Sequence, residues 1–73
     1  MAILKVKSEI TGSLWKIFKA QGAHVEQDEP IMILESMKME IPVLAPVAGT
    51  LKEILVIEGE SVEEGQVVAV IEI

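Results

Sequence analysis

The sequence predicts an all-β protein: a flattened barrel or sandwich of two small antiparallel sheets related by an approximate two-fold axis. Three observations carry that expectation. Short runs rich in Ile, Val and Leu recur along the chain, bounded by Gly, Pro or acidic residues, the pattern of strands about five residues long. No window keeps apolar residues at i, i+3, i+4 and i+7 for the roughly ten residues a helix requires, and Pro30, Pro42 and Pro46 interrupt the candidates. Finally, a shift of 37 places sets Gly12, Leu14 and Ile17 on Gly49, Leu51 and Ile54. The same shift matches Gly22 with Gly59, Val25 and Glu26 with Val62 and Glu63, and Glu35 with Glu72. Two related halves of short antiparallel strands bury their faces most simply against each other.

The strands are expected near residues 3–8, 13–19, 31–35, 40–44, 50–57 and 67–72. Gly22 and Gly59 close the second strand of each half, where only glycine takes a positive φ cheaply, and both read as turn residues. The repeat sets Asp28 on Gly65, and Asp is among the few other residues that tolerate the left-handed region, so position 28 is expected to turn as well.

A chain of 73 residues makes one small domain, taken as residues 1–73, with no room for a substrate domain beside a catalytic one. A domain this small buries only about 60% of the surface of its unfolded chain, so its core must be densely apolar. The 51% hydrophobic content meets that need. With no cysteine, disulfides and thiolate metal sites are excluded, and a reducing compartment is the natural reading. Six basic against twelve acidic residues give a net charge of −6, which argues against a nucleic-acid partner. No apolar stretch approaches the ~20 residues of a membrane span, and the start of the chain lacks a signal-peptide core. The expectation is a soluble, cytoplasmic protein with no membrane partner, monomeric when isolated.

One segment does not reduce to a folding requirement. Glu35, Ser36, Met37, Lys38, Met39 and Glu40 lie between two apolar strands, at a hairpin tip. A tight two-residue hairpin prefers Asn-Gly or Asp-Gly, because its central residues often need positive φ. Here the tip is Met37-Lys38, and folding alone seldom places thioether side chains at an exposed bend. The plainer reading makes Met37 and Met39 flexible core fillers and Lys38 a solvated surface lysine. Side chains alternate across a strand, so the two flanking methionines are expected to share one face and Lys38 to point the other way, a single amine presented alone.

The run from Glu35 to Met39 resembles the attachment sequence of the biotinyl-domain family, in which Ala or Ser precedes Met-Lys-Met. The resemblance continues through Ala45 to Thr50 and through the closing turn Glu58 to Gln66, and in length the chain is similar to stand-alone biotin/lipoyl attachment proteins. It departs from the family in lacking a proline before Gly12, in placing Asp28 at a common turn glycine, and in having no thumb-like insertion.

What the resemblance implies is a biotin carboxyl carrier of no catalytic activity of its own. A separate biotin protein ligase would join the Lys38 ε-amine to the valeryl carboxylate of biotin, drawing on biotinyl-adenylate. Glu35, Ser36, Met37, Met39 and Glu40 would form the recognition surface. Carboxybiotin would then pass from a biotin carboxylase to a carboxyltransferase, with the tether keeping it concentrated near both. A free lysine, of pKa near 10.4, is only about 0.04% neutral at pH 7, so the ligase must activate the amine.

Other features carry less. His24, the single histidine, has no cysteine beside it for a metal site and reads as a solvated or turn residue. Phe18 reads as core and Trp15 as partly buried; two aromatics are too few for a base-stacking surface. Glu58, Glu60, Glu63 and Glu64 form an acidic run, better read as a solvating face than as a docking surface. No glycine run suits a phosphate cradle.

Two rivals stand beside the carrier of biotin. A lipoyl carrier uses a lysine on the same fold, but such domains usually show Asp before the lysine and Ala after it, where this chain has Met37 and Met39; dual use of biotin and lipoate stays open. An unmodified structural barrel, as in membrane-fusion and efflux adaptors, has no need of Met-Lys-Met.

Overall fold

The structure is a computed structural model that describes residues 2–73. Eight strands follow one another: β1 (Ile3–Lys7), β2 (Gly12–Ile17), β3 (His24–Val25), β4 (Pro30–Ser36), β5 (Met39–Leu44), β6 (Gly49–Ile54), β7 (Ser61–Val62) and β8 (Val67–Glu72). They form two antiparallel four-stranded sheets, ordered β1-β8-β6-β3 and β5-β4-β2-β7. The all-β expectation holds. Among the described residues no helix is long and apolar enough to cross a membrane.

The 37-place repeat maps one sheet onto the other, β2 on β6, β3 on β7, β4 on β8 and β1 on β5. Backbone hydrogen bonds repeat with it. The Gly22 N–H donates to the Leu51 carbonyl at 2.7 Å, and the Gly59 N–H to the Leu14 carbonyl at 2.7 Å. Ile17 N–H donates to Glu58 Oε2 and Ile54 N–H to Gln21 Oε1, each at 2.9 Å. Each bond joins one half to the other, so neither half closes its sheet alone.

The core follows the same symmetry in place but not in identity. Leu14 and Leu51, Val25 and Val62, Ile31 and Val68, Met32 and Ala69, and Leu34 and Ile71 are repeat partners, and all ten are buried. Where Met32 is large, Ala69 is small, so volumes complement across the axis instead of duplicating.

Three sequence expectations are corrected. Strands β3 and β7, only two residues each, were not foreseen, and β6 stops at Ile54, leaving Leu55 and Ile57 exposed. Phe18, expected in the core, is 50% exposed. Its neighbour strand explains why: the β2–β4 register slips between Leu14 and Lys16, an extra residue that reverses the inward and outward alternation. Ile17 therefore packs against the core, and Phe18 turns outward. Trp15, at the slip itself, stays 46% exposed.

Turn geometry is as expected. Gly22, Asp28, Gly59 and Gly65 all have positive φ, at 90°, 67°, 91° and 84°. Gly12 and Gly49 serve a different purpose: a Cβ on either would lie 2.6 Å from a backbone oxygen, of Glu35 and Glu72 respectively. Only glycine lets β2 and β6 approach the strands beside them so closely.

The two chain ends meet, with the Ile73 N–H donating to the Ala2 carbonyl at 2.8 Å. Strand β2 starts beside the β4–β5 hairpin, with Ser13 opposite Glu35, and runs away from it. The strand is followed by Gly22, bonded to Leu51, and Gly49 lies against Glu72 beside the chain ends. Hairpin and termini thus occupy the two ends of a molecule 37 Å long and 18 Å across.

Glu29 anchors the turn at Asp28, its carboxylate paired with Lys19 Nζ at 2.7 Å and accepting the Glu26 N–H at 2.9 Å. The Lys19 hydrogen bond, then the Glu26 amide, holds its pKa below the ordinary carboxylate value. A lowered folded pKa gives a contribution present above the unfolded value and lost as pH falls through the folded one. The stability gap between the wild type and Glu29→Gln should therefore narrow as pH drops from 7 to below roughly 4, checked by urea melts at each pH. A gap that widens in acid would refute the pairing.

Gly12→Ala should cost about 1–3 kcal/mol, because its obstacle is backbone and cannot swing aside. Gly22→Asn, with open space around it and a residue that tolerates the left-handed region, should cost less than about 1 kcal/mol. Equal losses in urea denaturation would show that the close approach at Gly12 does not matter.

Candidate functional site

The β4–β5 hairpin is paired from Pro30 opposite Leu44 up to Ser36 opposite Met39, leaving two residues, Met37 and Lys38, to turn the chain. Their φ angles are 51° and 65°. A two-residue hairpin with both central residues at positive φ has the character of a type I′ turn, whose twist matches the strands it joins. Neither residue is Gly, Asn or Asp, so each holds a left-handed conformation at a cost of about 1–2 kcal/mol. The well-paired strands below impose it.

This geometry corrects the expected alternation. Met37 and Lys38 are turn residues and not strand residues, so the two-residue period does not run from Met37 through Met39. The thioethers are instead exposed for separate reasons: Met37 stands free at 93% exposure in the turn, and Met39 opens β5 at 59%. The core-filler reading of both is excluded by their exposure, whereas Met32 on β4 is fully buried. Lys38 is exposed and, among the described residues, takes part in no ion pair.

Below the turn, Glu35 and Glu40 face each other as an exposed cross-strand pair. Like charges so placed disfavour the hairpin by a few tenths of a kcal/mol to about 1 kcal/mol. Ser36 is half-buried opposite Met39. All six residues singled out in the sequence thus gather on one hairpin end.

Gly12, marked in the sequence by the repeat and by the missing proline before it, also belongs to this end of the molecule. Its missing side chain lets β2 press against the hairpin stem at the Glu35 carbonyl, with Ser36 Cβ at 3.3 Å from where its own Cβ would be. A glycine at a strand start, matched by Gly49 in the repeat, was the available signal.

The residues set aside lie elsewhere. His24 sits on β3, where Nε2 pairs with the Glu26 carboxylate at the surface. Two members of the acidic run have structural tasks: Glu58 accepts the Ile17 N–H, and Glu60 accepts the Ile57 N–H at 3.0 Å. Among the described residues no group of three His, Cys, Asp or Glu is placed to hold a metal.

Two four-stranded sheets related by the repeat carry a two-residue hairpin at one end, and the comparisons with known proteins identify this arrangement as an attachment domain of carrier type. The family model described as "Biotin-requiring enzyme" matches residues 5–71, and the chain belongs to this biotin/lipoyl family. A biotin/lipoyl attachment protein of Bacillus subtilis is 42% identical over 64 residues, 88% of each chain. A biotinylated protein, the TB7.3 homologue of Mycobacterium leprae, is 39% identical over 66 residues, 90% of this chain and 93% of its own. Among solved structures, a urea carboxylase of Kluyveromyces lactis superposes with a TM-score of 0.93 at 40% identity, over 99% of this chain and 6% of that one.

If the turn is strained as its φ angles indicate, Met37→Asn with Lys38→Gly should raise stability by about 1–2 kcal/mol in urea melts. An unchanged or lower midpoint would show that these two residues carry no backbone strain.

Proposed function

We propose that the chain is a biotin carboxyl carrier, biotinylated on Lys38 by a biotin protein ligase and serving a biotin carboxylase and a carboxyltransferase in turn. The observation that carries this reading is the exposed lysine at the tip of a two-residue left-handed turn, inside the run from Glu35 to Met39. A hairpin optimised only to fold would place Asn-Gly there.

The site suits the group. Nothing in the hairpin ties down the Lys38 stem by an ion pair among the described residues, so the amine can enter a ligase pocket. There the neutral Lys38 amine would supply the nitrogen of an amide to the biotin carboxylate: the C–N bond would form as the acyl C–O bond of the adenylate breaks, AMP would leave, and the amine proton would pass to a ligase base. When bound, biotin supplies a ring nitrogen that takes and gives up a carboxyl group at the partner enzymes. This chain contributes a fixed point of attachment: β4 and β5, braced by β2, hold the root of the arm while the arm itself swings. Met37 and Met39 offer soft, adaptable contact to several partners, and Glu35 and Glu40 offer charge.

Lipoate is the second reading, favoured by the relative named for both groups. Met37 and Met39 on either side of the lysine weigh toward biotin, since lipoyl domains resemble this chain in fold but usually carry Asp and Ala there.

With biotin, ATP and a biotin protein ligase, intact mass should show one biotinyl group, mapped to the Lys38 peptide. Lys38→Arg should abolish the adduct while leaving the urea melt within about 0.5 kcal/mol of wild type, since Arg keeps the charge but stays protonated. Biotin on Lys38→Arg, at Lys52 for example, would overturn the assignment; a lipoyl adduct in place of biotin under a lipoate ligase would favour the second reading.

A further inference from the structure

We propose that Met37, together with Met39, is a site of reversible S-oxidation by a peroxide-class oxidant, and that oxygen placed there stops modification of Lys38. The inference rests on the reading of Lys38 as the attachment site.

Three methionines are described, and they divide sharply. Met32 is 0% exposed inside the core, while Met37 is 93% and Met39 59% exposed. Thioether oxidation follows access, so the two surface sulfurs should react while Met32 is spared. The turn makes this selective without endangering the fold. A side chain as exposed as Met37 has almost no packing to lose, and its left-handed backbone depends on the Ser36–Met39 pairing rather than on the thioether.

What changes is the surface around the amine. Met37 and Met39 adjoin Lys38 on either side, so any enzyme that closes on this lysine must meet them. A flexible apolar thioether becomes a polar, chiral sulfoxide, which an apolar contact receives poorly. In the reaction a sulfur lone pair takes the outer oxygen of the peroxide, the S–O bond forms as the O–O bond breaks, and water or an alcohol leaves. Sulfur is oxidised by two electrons and the peroxide reduced by two. Methionine sulfoxide reductases, with thiol as electron donor, return the thioether and release the oxygen as water.

The test uses the whole chain. It is treated with hydrogen peroxide, the excess is destroyed with catalase, and biotin protein ligase, ATP and biotin are added. Peptide mapping should place oxygen on Met37 and Met39 and not on Met32. The rate of biotin addition should fall tenfold or more, and recover when both epimer-specific reductases and a thiol are supplied. A Met37→Leu, Met39→Leu double variant is compared only with itself, and its rate before and after peroxide should be equal. The proposal is overturned if the oxidised protein is modified as fast as the reduced one, or if the leucine variant loses as much, which would move the damage to a residue such as Trp15. An untreated wild-type chain that accepts no biotin sinks the parent reading, and this inference with it.

Discussion

The hydrogen bonds that cross between the two halves, Gly22 to Leu51 and Gly59 to Leu14, are the constraint on which the rest of the molecule depends. Beside them β3 pairs with β6, and β7 with β2, so that each sheet combines two strands from each half of the chain. The buried repeat partners then join in one core, with no helix among the described residues to cover it. A domain of this size has little apolar surface to spare, and sharing one core between two interlocked sheets is how it buries enough. The close approach at Gly12 and Gly49 belongs to the same arrangement, because a side chain at either would push β2 or β6 off its neighbour.

The hairpin inherits its rigidity from that framework. Seven residues of β4 lie between β5 on one side and β2 on the other, and the pairing of Ser36 with Met39 leaves the chain only two residues in which to reverse. Backbone strain at Met37 and Lys38 persists because the strands beneath are already fixed, and Glu35 opposite Glu40 adds a further unfavourable term. Three features that each work against folding therefore coincide at one end of the molecule. Such concentration is expected where a surface is kept for contact with other molecules and not for stability.

Much of this was legible in the sequence because it rests on local chemistry. Apolar runs cut by Gly22, Gly59 and the three prolines gave the strand class, and Asp28 opposite Gly65 in the repeat gave a positive-φ turn that the backbone contains. The hairpin around Lys38 was legible from its flanking strands. What escaped depends on register, which no single residue announces. The slip after Leu14 sends Phe18 outward, the slip between Pro30 and Met32 buries Ile31 and Met32 side by side, and two-residue strands such as β3 are too short to show a period. The orientation of Met37 escaped for a related reason: alternation is a property of strands, and the tip is not one.

The meeting of Ala2 and Ile73 has a topological meaning. Under the repeat, the bond between them falls where Met37 and Lys38 join β4 to β5, so the fold is in effect a ring with two equivalent corners, closed at one and cut at the other. Joining the ends with a short linker and opening the chain elsewhere should give a circular permutant of the same barrel. It also means that polypeptide added at either end leaves from the corner farthest from Lys38. The barrel can thus be spliced into a much longer protein, as a 6% portion of one large relative illustrates, without anything attached to its ends crowding the lysine.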